Sequence, residues 1–519
     1  MDLNPSRAGE ADAGDPTCRA GDALGGGDAA QPSPVAKPYF PGTLRAALVS
    51  AYGFSFLSQA CDLGFYLVLF KLFPLAGVGE FSWVMAVMVF VGLILDLGIS
   101  PALTREFSQH RTALRTVFWQ ASRLRLPGLL LNLVLFGIWV AGKRPQFELQ
   151  AAMLLAGTGM AVHACTGVFT SWLYAQERQP EANFVTVLSS ACRLVMGVGL
   201  IRIARCTNLD WLFGGLLLVE AICSGAGWML CHRPMPEKAR AVVSSQPGAS
   251  NPIGLRSRLR SVGISFAVIT VLAALQNRLD WLMVSHFLSV KALALYSMAN
   301  KCWEICRTLI NLALSSAFPW MCRERGQVSP GLAVFYKGLL AGSGLITLAG
   351  ALIGPETLSM FWGQKYAGSD AALRLLMLSV AAMAFNSVLY YLLVAGGSER
   401  FIIWPMAIGT AAQVGVDVVL IPRWGILGAV AGMLAQIGSI GVVYAYRAWP
   451  QLRALGLYWT FFPVSLGAAG LLIAESHLGL WHRAAIGLCL WLAASFCPMY
   501  RQHRALFQAI ILKPRAADE

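Results

Sequence analysis

Charge is what this sequence has little of. Of its 519 residues only 13% are Asp, Glu, Lys or Arg, against roughly 25% in an ordinary soluble chain. So little charge cannot cover the water-facing surface of two to four soluble domains, which a chain of this length would otherwise form. Histidine is scarce too: the seven (His110, His163, His232, His286, His477, His482 and His503) stand isolated. The twelve cysteines include no Cys-x-x-Cys and no Cys/His cluster at metal-ligand spacing. They read as small apolar core residues, and no metal site or other cofactor is expected. D-x-D, H-x-x-x-x-D and G-x-S-x-G arrangements are also missing, as is any polar segment long enough for a catalytic domain. These gaps argue against a membrane enzyme such as a polymerase, glycosyltransferase or acyltransferase, each of which needs a positioned base or metal.

What is present is apolar sequence: 57% hydrophobic residues and a mean hydropathy of +0.61. It falls into runs of the length that spans hydrocarbon, about 20 residues each. Helices are predicted at 46–73, 77–101, 113–141, 148–174, 182–204 and 210–231, then at 261–288, 290–320, 331–354, 370–395, 400–421 and 424–446. Two more come after them, at 457–474 and 478–498. The expected fold is all-α, a polytopic membrane protein of about 14 transmembrane helices. Residues 1–42, rich in Gly, Ala, Asp and Pro, are expected to be disordered, and lack the basic-then-apolar order of a signal peptide. The expected organisation is a six-helix bundle over 43–231, a linker over 232–260, a second bundle over 261–447, helices 13 and 14 within 448–498, and a tail over 499–519.

The formal net charge of +14 could indicate a nucleic-acid partner, but the basic residues sit in short connections between apolar runs. They concentrate on one set of alternate connections, including 102–125, 232–260 and 321–337, together with both termini. By the positive-inside rule that side is cytoplasmic, which requires an even number of spans.

Two internal echoes point to duplication. Phe81-Ser82 is followed by Pro101 and Arg105-Glu106, as Tyr296-Ser297 is followed by Pro319 and Arg323-Glu324. Leu173, Ala175 and Leu200-Ile201 are matched by Leu393, Ala395 and Leu420-Ile421. The offsets, about 215 to 222 positions, equal six helices, so the two pseudo-symmetric bundles share one orientation.

Charges inside apolar runs are costly, about 2.5–3.5 kcal/mol each at the bilayer centre, and therefore need partners or a wet cavity. The run 290–320 is the richest: Asn300, Glu304, Arg307 and Asn311 form one helical stripe, with Lys301 beside it. In 261–288, Gln276 and Asp280 share a face from which Arg278 points away. Arg193, Arg278, Lys301 and Arg307, with Asn300 and Asn311, are candidates for binding an anion and its polar attachments, since guanidinium groups hold phosphate oxygens bidentately. Asp62, Asp96, Asp280 and Glu304 are candidates for carrying a coupling H⁺ or Na⁺, or for structural ion pairs.

The residues Gly79-Glu80-Phe81-Ser82 through Asp96 and Gly98, Asp280 before Leu295-Tyr296-Ser297-Met298-Ala299, Pro319, Phe361-Trp362-Gly363 with Tyr366, and Ile421-Pro422 before Gly425, Gly428 and Ala429 carry a resemblance. In their order and spacing the chain resembles the polysaccharide-biosynthesis flippases, the O-antigen and exopolysaccharide repeat-unit translocases. Their superfamily also holds the multidrug and toxin exporters and the lipid II flippase. The resemblance covers about residues 45–450. It implies two six-helix bundles around a central cavity, alternating access, and a polyprenyl-pyrophosphate-linked oligosaccharide as substrate. It further implies the bacterial inner membrane, lipid contacts, and a polysaccharide polymerase and export machinery as partners. One departure stands out: lipid II flippases carry cavity-facing arginines on the first helix, whereas here Ala46–Phe70 offers Asp62 and no arginine. A drug or cation antiporter on the same fold is the main rival, and it would favour a carboxylate-rich cavity.

Overall fold

A computed structural model describes residues 42–96, 147–204 except 177, 208–233, 252–323 and 329–455, with a few positions between 118 and 134. The expected helices at 113–141, 457–474 and 478–498, the N-terminal segment before residue 42 and the C-terminal tail lie outside the described residues. Contacts divide the chain into a first unit, up to Arg45, and a second, Ala46–Glu519. The helix packing and the cavity belong to the second.

The described residues are helical, without a strand. In chain order the helices are α1 (Gly42–Leu72), α2 (Leu75–Asp96), α3 (Phe147–Ala175), α4 (Gln179–Gly197), α5 (Leu209–His232), α6 (Pro252–Phe287), α7 (Val290–Arg323), α8 (Pro330–Trp362), α9 (Asp370–Ala395), α10 (Glu399–Trp424), α11 (Ile426–Arg447) and the short α12 (Trp449–Leu455). Eight stretches among the described residues are long and apolar enough to cross a membrane, one of them, Gly331–Ala395, holding both α8 and α9. The protein is a multi-pass membrane protein.

Three elements depart from the expected helix limits, each for a local reason. First, α6 begins at Pro252, inside the segment expected to be a linker, because a proline is well tolerated in the first turn of a helix. Second, α8 runs through Pro355 to Trp362 and does not stop near 354. Helices in lipid tolerate an interior proline because neighbouring helices and hydroxyl side chains re-satisfy the freed backbone groups. Third, α4 loosens into a π-helical turn over Val198–Ile203.

Packing in lipid rests on close approach and interhelical hydrogen bonds, since lipid tails are as apolar as leucine. The most extensive pairings are α10 with α11, α3 with α5, and α8 with α9. The α10–α11 hairpin turns on Gly425 alone, at φ 62°, a conformation that L-residues avoid. Across the two halves, α2 packs on α6 and α7. Gly79 lies so close to the Val290 carbonyl that a Cβ there would sit 2.0 Å from its oxygen.

The two echo serines meet. Ser82 Oγ donates to Ser297 Oγ at 3.0 Å, with both side chains buried. A meeting of equivalent residues is what a local pseudo-two-fold between the echoed segments requires. A second join lies at the end of α1. There Lys365 donates to the carbonyls of Phe70 and Phe73, and the Tyr366 hydroxyl donates to Phe70 O at 3.0 Å.

Candidate functional site

The polar stripe of α7 opens on a cavity of about 300 Å³. Asn300, Glu304, Arg307 and Asn311 all line it, as their helical spacing requires. The opposite walls come from α6 (Gln276, Asn277, Arg278 and Asp280), from α9 and from α11. Every lining residue belongs to the C-terminal half.

Four charges gather along one wall. Glu304 receives Arg278 at 3.1 Å on one carboxylate oxygen and Lys301 at 3.0 Å on the other. Arg307 donates to the Asn277 side-chain carbonyl and is in no ion pair among the described residues. Each cation also lies over an aromatic face: Arg278 is 4.3 Å from the Trp281 ring, Lys301 4.0 Å from Tyr66 of α1, and Arg307 5.2 Å from Trp303. Cation–π contact of this kind stabilises a cation that has lost much of its water. Three cations against one carboxylate leave the cluster positive.

Asp280 belongs to a different group. It is 2% exposed and accepts from the Tyr296 hydroxyl and from the Trp281 amide at 2.9 Å. One helix across, Asp417 and Gln413 of α10 are each 0% exposed, and neither side chain has a hydrogen-bond partner among the described residues. Asp417 lies within electrostatic reach of Asp280. It presses on α11, where a Cβ at Gly432 would come within 1.9 Å of its oxygen. Burying a carboxyl group without a hydrogen-bond partner is costly, which sets Asp417 apart from Asp280.

Other candidates fall elsewhere. Arg193 pairs with Asp62 of α1 at 3.4 Å and donates to Ser189 at 3.1 Å. This pair lies in the N-terminal half, and neither residue lines the cavity. Lys301 joins the cluster through Glu304 without lining the cavity. Asp96 closes α2, and its side chain lies outside the described residues. Arg278 and Asp280 do take separate partners, as their opposed faces suggested, although the long Arg278 side chain still reaches the cavity wall.

Helical patterning passed over Gln413 as a neighbour of Asp417. A signal was available: Gln276-x-x-x-Asp280 and Gln413-x-x-x-Asp417 repeat the same amide–acid spacing on two helices.

The family described as polysaccharide biosynthesis protein matches residues 53–324. Among curated proteins, none matches the sequence. The fold is shared with the lipid II flippase MurJ in an inward closed conformation, at TM-score 0.66 and 12% identity, over 88% of this chain and 100% of that one. It is shared also with an outward-facing multidrug resistance MATE family transporter of the MOP superfamily, at TM-score 0.51 and 16% identity, over 80% of this chain and 97% of that one. An inward-facing MATE structure matches at TM-score 0.53 and 15% identity, over 79% and 99%. At such identities the likeness speaks for the fold alone.

Proposed function

Since the chain belongs to the polysaccharide biosynthesis protein family, we infer that it is a flippase turning a polyprenyl-pyrophosphate-linked oligosaccharide from the cytoplasmic to the outer leaflet of the bacterial inner membrane. The observation that carries this is the cluster of Arg278, Lys301 and Arg307 about the single Glu304 carboxylate, with Arg278 and Arg307 lining the cavity. A pyrophosphate diester bears two negative charges at neutral pH, the number by which the cluster's cations exceed Glu304. In a low-dielectric cavity such charges attract far more strongly than in water, and two of the three are guanidinium groups suited to phosphate oxygens.

Asp280 and Asp417 supply the coupling. A proton or a small cation such as Na⁺ completes the pair, and its release or uptake biases the two halves between access states. In this reading both termini are cytoplasmic, the lipid tail stays in the bilayer, and a polymerase and export machinery take the product.

The test is genetic and biochemical. Deleting the gene should leave the lipid-linked repeat unit on the inner leaflet; normal surface polysaccharide, with no paralogue present, would overturn the reading. Purified protein should be stabilised against heat by polyprenyl pyrophosphate and not by organic cations, the reverse of what an antiporter of cationic drugs would show.

A further inference from the structure

The cavity has a second chemistry beyond its cations. Its remaining polar wall is made of neutral amides and tyrosines: Gln276, Asn311, Asn386 and Gln436, with Tyr390 and Tyr391. Two of the amides are held in place by the helices behind them, Gln276 donating to Met406 O at 2.9 Å and Asn386 to Ile437 O at 2.7 Å. The side chains of Asn311 on α7 and Gln436 on α11 make no hydrogen bond among the described residues, so both amides are available to a ligand. Tyr390 and Tyr391 stand edge to face, with ring centres 5.4 Å apart, giving the cavity a rigid aromatic corner.

A free phosphate needs donors only, and an apolar ligand needs neither amides nor charges. Amides that both donate and accept, beside aromatic faces, suit a ring bearing several hydroxyl groups and an apolar C–H face. The cavity's volume, about 300 Å³, lies at the lower end of small-molecule sites. It is far too small for an oligosaccharide.

We propose that the cavity in the C-terminal half is a carbohydrate subsite that seats a single sugar ring of the cargo, read by Asn311 and Gln436 against the wall formed by Tyr390 and Tyr391. This rests on the flippase reading, with the pyrophosphate on Arg278 and Arg307. The rest of the glycan lies outside the cavity and goes unread there.

Binding by the full-length protein in lipid nanodiscs tests this with two probes. One is polyprenyl pyrophosphate; the other is the lipid-linked oligosaccharide pool extracted from the protein's own host. The wild type should prefer the glycosylated lipid by about tenfold, as expected for one or two satisfied buried hydrogen bonds. Asn311→Ala and Gln436→Ala should each cut that preference severalfold while leaving affinity for bare polyprenyl pyrophosphate unchanged, which also verifies folding. Should an alanine variant lose both ligands, the uncharged, near-isosteric Asn311→Leu and Gln436→Met are the replacements and should lose the preference in the same way. Equal affinity of the wild type for both probes, or a preference untouched by the variants, overturns the subsite and leaves the flippase reading intact. Failure of both probes to bind the wild type overturns the flippase reading itself.

Discussion

The two halves of this protein put opposite chemistry at matching positions. With the offset of 220 that relates Leu173 to Leu393 and Leu200 to Leu420, Arg193 of α4 corresponds to Gln413 of α10, and Gly197 to Asp417. With the offset of 215 that joins Ser82 to Ser297, Asp62 corresponds to Asn277 and Phe65 to Asp280. The N-terminal half thus closes an ion pair, Asp62–Arg193 at 3.4 Å, and packs the Phe65 ring against Gly197. The C-terminal half places amides where the ion pair would be and two acids where the apolar contact would be. One half pairs its acid with a guanidinium; in the other, Asp417 has no hydrogen-bond partner among the described residues. Where the echoed offsets place an ion pair in the first half, the second holds the amides of Asn277 and Gln413, and Asn277 lines the cavity.

The sharpest way to break this comparison is to write the N-terminal solution into the C-terminal half. Gln413→Arg would set a permanent guanidinium beside Asp280 and Asp417, in place of an exchangeable cation. Transport in vesicles should fall by about 100-fold or more with the protein still folded, because a fixed charge removes the differential binding that shifts the two states. Normal transport by this variant would end the coupling role of the acid pair.

Arg307→Ala removes a charge-assisted anion contact, which is typically about 1.5–3 kcal/mol. Affinity for polyprenyl pyrophosphate should drop by roughly 10- to 100-fold, whereas Arg193→Ala should change it by less than about threefold. Equal losses from the two would mean that the anion bridges both halves.

Gly432→Ala tests the packing around the buried acid. The Asp417 carboxylate occupies the space a Cβ would need, so overpacking should cost about 1–3 kcal/mol and lower the thermal midpoint. The double variant Gly432→Ala, Asp417→Ala should recover much of that midpoint. The smallest effect on ligand affinity is expected at Asp62→Asn, which takes the ion-pair partner from Arg193 outside the cavity, so that its cost falls on stability. A large loss of affinity there would show that the N-terminal pair takes part in binding.

Much of the scaffold was legible in the residues. Helix-length apolar runs fixed the all-α membrane class, and the α7 stripe of Asn300, Glu304, Arg307 and Asn311 announced a cavity, because residues three and four apart must share a face. The Phe81-Ser82 and Tyr296-Ser297 echo picked out two serines that meet in the fold.

Partnership between helices was not legible. That Arg193 is neutralised by Asp62, that Arg278 reaches Glu304 from α6, and that Asp417 has no hydrogen-bond partner among the described residues depend on which helices lie side by side. The Lys301–Glu304 pair, by contrast, follows from spacing on one helix. Helical period determines the face a residue occupies and is silent on what stands opposite that face. By itself the sequence determined the fold class and the polar face of α7. Only the tertiary structure decided that the cavity lies within the second half and that Asp280 and Asp417 are both buried within electrostatic reach of one another, because both follow from distances between helices more than a hundred residues apart in the chain.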